Sequence, residues 1–419
     1  MRARSLVVLV LAATAMVATA CNGDDVAPAS DAGPLPGSDG GRPPGMDGGV
    51  PPGVDAGIPP GVDAGPAPDP DAGMCTDTCP APMGGVTWGC KKRFLLGTNY
   101  AWQHFGGDFG GIAAWGQTGV SGDSASFRTE LAAMKAAGVN VVRWWMFPRF
   151  WTEAITFDAT DAPESIGGTL VADIEEALRL ADELDMYIMF TPFSFDDFKP
   201  TTTEAGIFSR GMTPMVTSAT QRAALLNNLV APVARAVEAS PYRRRMIAWD
   251  MINEPEWAMT GPNAYGGEDF TPDSTLVPIT HSQMETFLNE MAVVLRANSN
   301  ALITIGSAAI KWGSAWTHTD VDFYSLHYYD WVYEWFPYQT VTLASVGLTD
   351  KPVVMGEFPN AGLSAVGGHP ARTITELVSD LWGAGYAGAQ SWAFNDASFA
   401  WDPALLHSFA GMHACETAY

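Results

Sequence analysis

Two glutamates stand where separate apolar runs of the chain stop. Glu254 follows the run that opens "IAWDMINEPEW" (247–257), and Glu357 lies at the end of "VVMGEF" (353–358). Taken singly, the first is explained as a turn carboxylate, because Asn and Pro are common turn residues, and the second as a structural ion pair. Taken together, two glutamates at strand ends of one sheet indicate glycoside hydrolysis. In that reaction one carboxyl protonates the leaving oxygen and the other attacks the sugar or activates a water.

More polar and aromatic side chains end other apolar runs. They are Arg143, Asn253, His327, Tyr329 and Trp392. A lone histidine is usually a satisfied core residue, but Tyr329 stands two residues after His327 and therefore shares its strand face, which favours a site. Asp250 lies inside an apolar strand, where a carboxylate must be paired, and we interpret it as structural support.

The elements that would position these residues alternate along the chain. Runs typical of strands occupy 93–100, 139–147, 186–193, 246–253, 301–308, 321–329, 351–358 and 386–394. Amphipathic patterns typical of helices separate most of them, except between the fifth and sixth runs, where we expect a Trp-rich loop. Strands that are apolar on both faces and alternate with helices predict an α/β fold, a closed (β/α)8 TIM barrel. The C-terminal ends of its strands would bring the polar residues together.

The strand-end motifs are specific as an ordered set. "NEP" ends the fourth strand, "HYY" the sixth, "GEF" the seventh and a Trp the eighth, with an Arg in the second. In this order the chain resembles clan A glycoside hydrolases, most closely glycoside hydrolase family 5, from "GTNYAW" to "SWAFND". The resemblance implies a retaining double displacement in which Glu254 is the general acid/base and Glu357 is the nucleophile.

The resemblance also implies roles for the neighbouring residues. Asn253 would hydrogen-bond the sugar 2-hydroxyl, and Arg143 would keep Glu357 ionised, as a guanidinium beside a carboxylate does. His327 and Tyr329 would orient the two glutamates. Aromatic side chains at strand ends or in the following loops would offer faces to sugar rings: Trp392, as the floor of the subsite at the cleavage point, Trp102, Trp144 and Trp257.

The polar end of the third strand bears on the substrate. Many cellulases of the family have a histidine there, whereas this chain has "FTPFSFDDF", with Ser194, Asp196 and Asp197. That segment and "VRWWMF" in the second strand are more similar to the β-mannanases. We therefore expect a β-1,4-linked polysaccharide as the partner, with mannan or glucomannan ahead of glucan. A non-catalytic carbohydrate-binding protein and a transglycosylase that uses the same covalent intermediate are the alternatives.

Composition excludes other classes of function. The formal net charge of -24 argues against a nucleic-acid partner, because phosphate binding requires clustered Lys and Arg. No metal and no organic cofactor is implied, since two carboxyls supply the acid, the base and the nucleophile, and the sequence has no glycine-rich phosphate cradle. We expect a monomer.

The first part of the chain indicates export. Residues 1–21 have the charged start, apolar middle and small-residue exit of a signal peptide. "ATAC" is similar to the cleavage box of bacterial lipoproteins and predicts lipidation of Cys21, with simple secretion as the alternative because Ala18 stands in place of the usual leucine. The lipid would be the only link to a membrane, on a protein facing the periplasm or the cell surface. We expect residues 22–73 to be a Pro/Gly/Asp-rich disordered linker and residues 74–419 to form the catalytic domain.

An even set of cysteines remains if Cys21 carries lipid. It consists of Cys75, Cys79, Cys90 and Cys415. Such a set in an exported protein predicts disulfides, and three pairings are open. We expect at least one bridge between the segment that precedes the barrel and Cys415. Cys75 and Cys79 are spaced like metal ligands, but neither a His nor a second close pair accompanies them, so zinc is not expected.

Overall fold

Eight parallel strands close into a barrel in the order in which they follow one another along the chain. The computed structural model describes residues 77–396 and 403–419. The barrel strands are β1 (Leu95–Tyr100), β2 (Val141–Trp145), β3 (Tyr187–Thr191), β4 (Met246–Asn253), β5 (Leu302–Ser307), β6 (Tyr324–His327), β7 (Val353–Glu357) and β8 (Gly388–Ser391). Each lies within one of the predicted runs, and β8 pairs with β1 to complete the ring. The predicted TIM barrel is confirmed.

The strands are buried on both faces, which explains their continuous apolar runs. All residues of β1, β2, β4 and β7 are buried. In a parallel barrel the outward side chains pack under the helices and the inward ones fill the interior. Strand sequence alone therefore cannot show by polarity which residues face inward.

Helices cover the outside of the barrel. They are α1 (Ser124–Ala136), α2 (Leu170–Glu183), α3 (219–239), α4 (His281–Asn298), α5 (Asp330–Trp335), α6 (Ile374–Gly383) and α7 (Pro403–Met412). Capping boxes start α4 and α6, with Thr280 paired to Gln283 and Thr373 paired to Glu376. The connection between β5 and β6 contains only the short 3-10 helix Ile310–Trp316, as the sequence predicts.

Short two-stranded sheets surround the C-terminal ends of the barrel strands. After β2 comes the hairpin of Ile155–Phe157 with Pro163–Ile166, and after β3 the hairpin of Thr202–Glu204 with Ile207–Ser209. A short parallel pair, Met259–Thr260 with Ile279–Thr280, follows β4. These segments lengthen the loops at the end of the barrel that carries the polar residues.

The opposite end of the barrel is closed by the segments that flank it. Tyr419 packs its ring 5.4 Å from that of Tyr187 at the start of β3, and Phe94 donates its backbone N–H to Glu416 at 2.9 Å. A disulfide joins Cys79 to Cys415, which is a bridge of the kind expected from the sequence. Cys90 is disulfide-bonded as well.

Some features expected from the sequence lie outside the described residues. They are the signal peptide, Cys21, the linker at 22–73 and Cys75. Within the described part of the chain, every helix is too short or too polar to cross a membrane.

Candidate active site

Glu254 leaves the barrel wall directly after β4. Its backbone adopts a left-handed conformation (φ 48°, ψ 48°), which is uncommon for a residue with a side chain. Its N–H donates to the carbonyl of Gly306 in β5 at 2.6 Å. The side chain is 14 % exposed, so the carboxyl lies at the mouth of the barrel and is only slightly accessible to water.

Two hydrogen bonds hold the carboxyl of Glu254. Its Oε1 lies 2.7 Å from Nδ1 of His327, and its Oε2 accepts the indole N–H of Trp257 at 2.8 Å. Burial raises the pKa of Glu254 to about 7, and the Trp257 hydrogen bond and the charge of Arg143 offset only part of that rise. A carboxyl with a pKa near neutrality both keeps a proton for donation and accepts one back.

Glu357 ends β7, and each of its oxygens has a separate donor. Nη1 of Arg143 donates to Oε1 at 2.7 Å, and the phenol of Tyr329 donates to Oε2 at 2.7 Å. Burial raises the pKa of Glu357 above its ordinary value, and Arg143 and Tyr329 offset only part of that rise. These two donors stabilise the ionised form, which is the form that a nucleophile requires.

His327 lies between the two glutamates at the end of β6. Its Nδ1 is 2.7 Å from Oε1 of Glu254 and 3.4 Å from Oε2 of Glu357. Burial lowers the pKa of His327 to about 4, so the ring is neutral near pH 7. Because it is neutral, it links the two carboxyls by hydrogen bonding and adds no positive charge that would ionise Glu254.

The two carboxyls are close to each other. One oxygen of Glu254 and one of Glu357 lie within 4.8 Å of each other and of a ring nitrogen of His327. Retaining glycosidases hold their carboxyl groups about 5 to 5.5 Å apart, and inverting ones about 6.5 to 9.5 Å apart to admit a water. An oxygen-to-oxygen distance of at most 4.8 Å agrees with the shorter of these two separations.

The same three side chains are also a possible set of metal ligands. Two carboxylates and an imidazole resemble the donors that zinc uses. However, the guanidinium of Arg143 already donates to Glu357 at 2.7 Å, so a cation bound here would face a fixed positive charge. The arrangement therefore suits proton transfer between directly paired groups better than coordination.

Arg143 in β2 is buried beneath the glutamates and is the centre of a hydrogen-bond network. Besides Glu357, it donates to Asp250 at 2.6 Å, to Asn99 at 2.7 Å and to Asn253 at 2.8 Å. The carboxylate of Asp250, predicted to be paired, forms this ion pair entirely out of contact with water. Sequence reasoning missed Asn99, although it stands in the quoted motif "GTNYAW" at the end of β1.

Gly306 leaves the space that the side chains of Arg143 and Asp250 occupy. A Cβ atom at that position would lie 2.7 Å from Nη2 of Arg143 and 2.9 Å from Oδ2 of Asp250. The backbone N–H of Gly306 instead donates to Asp250 at 2.6 Å. Close approach of backbone to the ion pair thus requires glycine here.

The polar segment after β3 supports the site from the side. Asn253 accepts a hydrogen bond from Arg143 with its Oδ1, and its Nδ2 has a 3.4 Å contact with Ser194. Asp197 accepts the N–H of Ser194 at 2.8 Å and that of Arg149 at 2.6 Å, so it is a capping residue of the turn. The capping contacts account for Asp197, while its neighbour Asp196 forms an ion pair with Lys199 at 2.8 Å.

Aromatic side chains line the cleft beside Glu357. Trp392, after β8, is 6 % exposed and donates its indole N–H to Asp396 at 3.0 Å. Its ring is 5.7 Å from that of Trp145, which in turn is 5.5 Å from that of Trp102. Trp145 was not among the predicted site residues, whereas Trp392 and Trp102 were.

The prediction that Trp144 binds substrate is wrong. Side chains alternate along β2, and Trp144 points outward from the barrel, next to the inward-facing Arg143. Its ring lies 4.8 Å from that of Tyr100 and 5.6 Å from that of Phe127 in α1, and its N–H donates to Asp108 at 2.9 Å. Trp144 is fully buried in the layer between strand and helix.

Trp257 lies on the other side of the cleft. Besides its bond to Glu254, its ring is 5.3 Å from that of Trp312 and 6.0 Å from that of Trp331. It is partly exposed. The structure therefore brings together the predicted residues Glu254, Glu357, Arg143, Asn253, His327, Tyr329, Trp392, Trp102 and Trp257, and leaves Trp144 outside.

Comparisons with known proteins agree with this geometry. No protein-family model matches the chain. In sequence, the chain is 23% identical over 356 residues to a mannan endo-1,4-beta-mannosidase of Cryptopygus antarcticus, covering 74% of this chain and 82% of that protein. It is 22% identical over 339 residues to the mannan endo-1,4-beta-mannosidase of Mytilus edulis, covering 73% and 85%. The predicted resemblance to glycoside hydrolase family 5 is confirmed.

Solved structures of mannanases share the barrel of this chain. The beta-1,4-mannanase of Aplysia kurodai superposes with a TM-score of 0.62 at 20% identity, covering 80% of this chain and 97% of that one. The beta-1,4-D-mannanase of Cryptopygus antarcticus gives 0.63 at 20% identity, covering 79% and 94%. At this identity the structural likeness establishes the fold.

Proposed function

We propose that the chain is a retaining β-1,4-mannanase that cuts its polysaccharide internally. The observation that carries the proposal is the pair of carboxyls, Glu254 and Glu357, with oxygens within 4.8 Å of each other at the mouth of the barrel. That separation matches a nucleophile and an acid acting on the same anomeric carbon. The two curated relatives, both mannan endo-1,4-beta-mannosidases, support mannan as the substrate.

In the first step Glu357 attacks the anomeric carbon. The bond from that carbon to the glycosidic oxygen breaks, the protonated carboxyl of Glu254 gives its proton to this oxygen, and the leaving sugar departs with a free hydroxyl. An ester then joins Glu357 to the remaining sugar. In the second step Glu254, now a carboxylate, takes a proton from a water that attacks the same carbon and releases Glu357.

The surrounding residues fit these two steps. Arg143 and Tyr329 each hold one oxygen of Glu357, and they stabilise the carboxylate that leaves in the second step. Asn253 has its Oδ1 occupied by Arg143 and its Nδ2 beside Ser194, so the second N–H of its amide would be the donor to a sugar 2-hydroxyl. Trp392 and Trp145 offer the floor on which the ring would rest.

Reducing-sugar release tests the proposal. The chain, Glu357→Ala and Glu254→Gln are compared on mannan, glucomannan, cellulose, xylan and galactan. We expect release from mannan and glucomannan by the native chain and loss of about 100-fold or more in each variant. Equal activity of the Glu357 variant would overturn the mechanism, and preference for cellulose would overturn the substrate.

Product analysis separates retention from its alternatives. NMR of the first product reports the anomer: β-configured product supports double displacement, and α-configured product would mean inversion. Excess acceptor sugar distinguishes hydrolysis from transglycosylation, because longer oligosaccharides accumulate only in the latter. Binding of mannan without any turnover would identify a carbohydrate-binding protein.

We also propose that the protein is exported with lipid on Cys21. The Cys79–Cys415 disulfide supports export, because such bonds persist in oxidising compartments. Membrane fractionation of Cys21→Ala tests the anchor: release into the soluble fraction is expected, and unchanged partitioning would contradict it.

A further inference from the structure

A second glutamate lies two residues after Glu254 and is fully buried. Glu256 belongs to the 3-10 turn Pro255–Ala258 that follows β4. Acidic residues in a turn are usually solvated, and a buried carboxylate needs strong partners to offset its lost hydration. Its location therefore calls for a reason in the structure.

Three donors hold the carboxylate of Glu256, and all come from β5 or the connection that follows it. Ser307 donates its hydroxyl at 2.5 Å and Trp316 its indole N–H at 2.8 Å, both to Oε1, while Ala308 donates its backbone N–H to Oε2 at 3.0 Å. All three donors are neutral groups. Glu256 thus joins the turn after β4 to the next strand without forming an ion pair.

The turn held in this way carries both Glu254 and the residue that controls it. The N–H of Trp257 donates to the carbonyl of Glu254 at 3.2 Å, and the indole N–H of the same residue donates to Oε2 of Glu254 at 2.8 Å. Glu254 itself is in the left-handed conformation, which persists only where the surroundings enforce it. A turn that shifts by a fraction of an ångström would move the acid relative to Glu357.

We propose that Glu256 is a positioning residue for the acid/base: its carboxylate fixes the Pro255–Ala258 turn to β5 and thereby sets where Glu254 and Trp257 lie. The proposal rests on the proposed function, because it assigns Glu254 the proton transfer. Glu256 is fully buried, with both carboxyl oxygens bonded to β5 or to the connection after it, so it is not exposed to the cleft. Its effect is exerted through the orientation of the proton donor.

The test compares Glu256→Gln with Asp108→Asn. Asp108 is a matched control because it too is a buried carboxylate that accepts a tryptophan indole N–H, from Trp144 at 2.9 Å, and it accepts two backbone N–H groups, of Gln103 and His104. In each variant the new side-chain amide places an N–H group opposite a hydrogen-bond donor that the carboxyl oxygen accepted before. The two substitutions therefore disturb similar buried networks, but only one lies on the Glu254 turn.

Two substrates show whether proton donation by Glu254 is impaired. Mannan needs an acid to protonate its leaving oxygen, whereas a dinitrophenyl β-mannobioside releases a stable phenolate without one. The ratio kcat/KM is the proper measure, because it reports the steps from free enzyme and substrate through formation of the covalent intermediate and not its hydrolysis. For Glu256→Gln we expect kcat/KM on mannan to fall about 10-fold or more, with at most about a 2-fold change on the aryl substrate. For Asp108→Asn we expect both substrates to change by the same factor.

Several outcomes would overturn the inference while leaving the proposed function intact. They are an equal loss of Glu256→Gln on both substrates, no loss on mannan, or the same discrimination in Asp108→Asn. A native chain that cleaves neither substrate would instead refute the proposed function, and the inference with it. If Glu256→Gln does not fold, Ser307→Ala replaces it: this variant removes one of the three donors, and it should show the same selective loss on mannan to a smaller extent.

Discussion

Tyr329 donates its phenolic hydrogen to Oε2 of Glu357 at 2.7 Å, opposite the guanidinium that holds Oε1. Tyr329→Phe removes that donor, so the carboxylate is less stabilised and its pKa rises. We expect kcat to fall about 10- to 100-fold, as is typical for a hydrogen bond to a charged group, and the acid limb of the kcat/KM profile to move to higher pH.

The neighbouring tyrosine provides the control for this change. Tyr328 is buried, and its hydroxyl donates to the carbonyl of Phe336 at 2.7 Å, away from the glutamates. Tyr328→Phe should lower thermal stability and leave the acid limb where it is. Profiles of kcat/KM between pH 3 and 9 measure the acid limb of each variant. An unchanged acid limb in Tyr329→Phe would contradict the expectation.

Glu254 links stability to pH. Burial raises its pKa from 4.5 to about 7, so the folded chain holds a proton that the unfolded chain has already lost between these values. Its contribution to the free energy of unfolding is complete below pH 4.5 and is lost as pH rises through 7. Relative to the native chain, Glu254→Gln should therefore gain stability as pH rises from 4.5 to 8, by up to about 3 kcal/mol.

Thermal unfolding of both chains across this pH range measures that gain. Glu164→Gln serves as the comparison, since Glu164 is exposed on the hairpin after β2 and its substitution removes the same charge outside the site. A constant difference for Glu254→Gln at all pH values would show that the carboxyl titrates normally.

Removing the Cys79–Cys415 bridge should separate stability from activity. The double variant Cys79→Ser/Cys415→Ser loses a cross-link over a long loop, which corresponds to about 2 to 4 kcal/mol. The bridge lies at the end of the barrel remote from the glutamates, so kcat at 25 °C should change less than about 2-fold. Calorimetry and initial rates on the same sample provide the check; a loss of kcat in the folded variant would mean that the two ends are coupled.

The two adjacent tryptophans of β2 should respond oppositely to substitution. Trp145 faces the cleft, so Trp145→Ala should raise KM for mannan about 10-fold, equivalent to about 1.4 kcal/mol. Trp144 is packed under α1 and bonded to Asp108, so Trp144→Phe should lower stability by about 2 kcal/mol with KM unchanged. Michaelis constants and melting temperatures of both variants test this division, and a raised KM in Trp144→Phe would reverse it.

The eight strands were predictable because burial on both faces leaves continuous apolar runs. Because the strands are buried on both faces, the sequence did not indicate which of the two adjacent tryptophans faces the cleft. In a half-exposed strand, polarity alternates and reveals the inward face, but both neighbours of Trp144 are buried. Only pairing with β1 and β3 fixes the direction in which each side chain points.

The two strand-end glutamates were predictable from the sequence, and the residues that support them were not. Glu254 and Glu357 stand at strand ends within ordered motifs, so the barrel topology brings them together. Asn99 and Glu256 act through contacts with residues far away in the chain, on Arg143 and on the β5 end. The residues around Asn99 are typical of a strand end, and those around Glu256 are typical of a turn. A local sequence pattern cannot indicate a hydrogen-bond partner that is distant in the chain.

Gly306 also limits how this protein can change. The barrel layer at its level is filled by charged side chains, Arg143 and Asp250, rather than by branched hydrocarbons, and Gly306 supplies the volume that they occupy. At this level of the barrel, the atoms that fill the core are therefore also the atoms that set the charge around Glu357. Substitutions that repack the interior would also alter the charge around Glu357, the proposed nucleophile, so new specificity is more accessible through the surrounding loops than through the barrel interior.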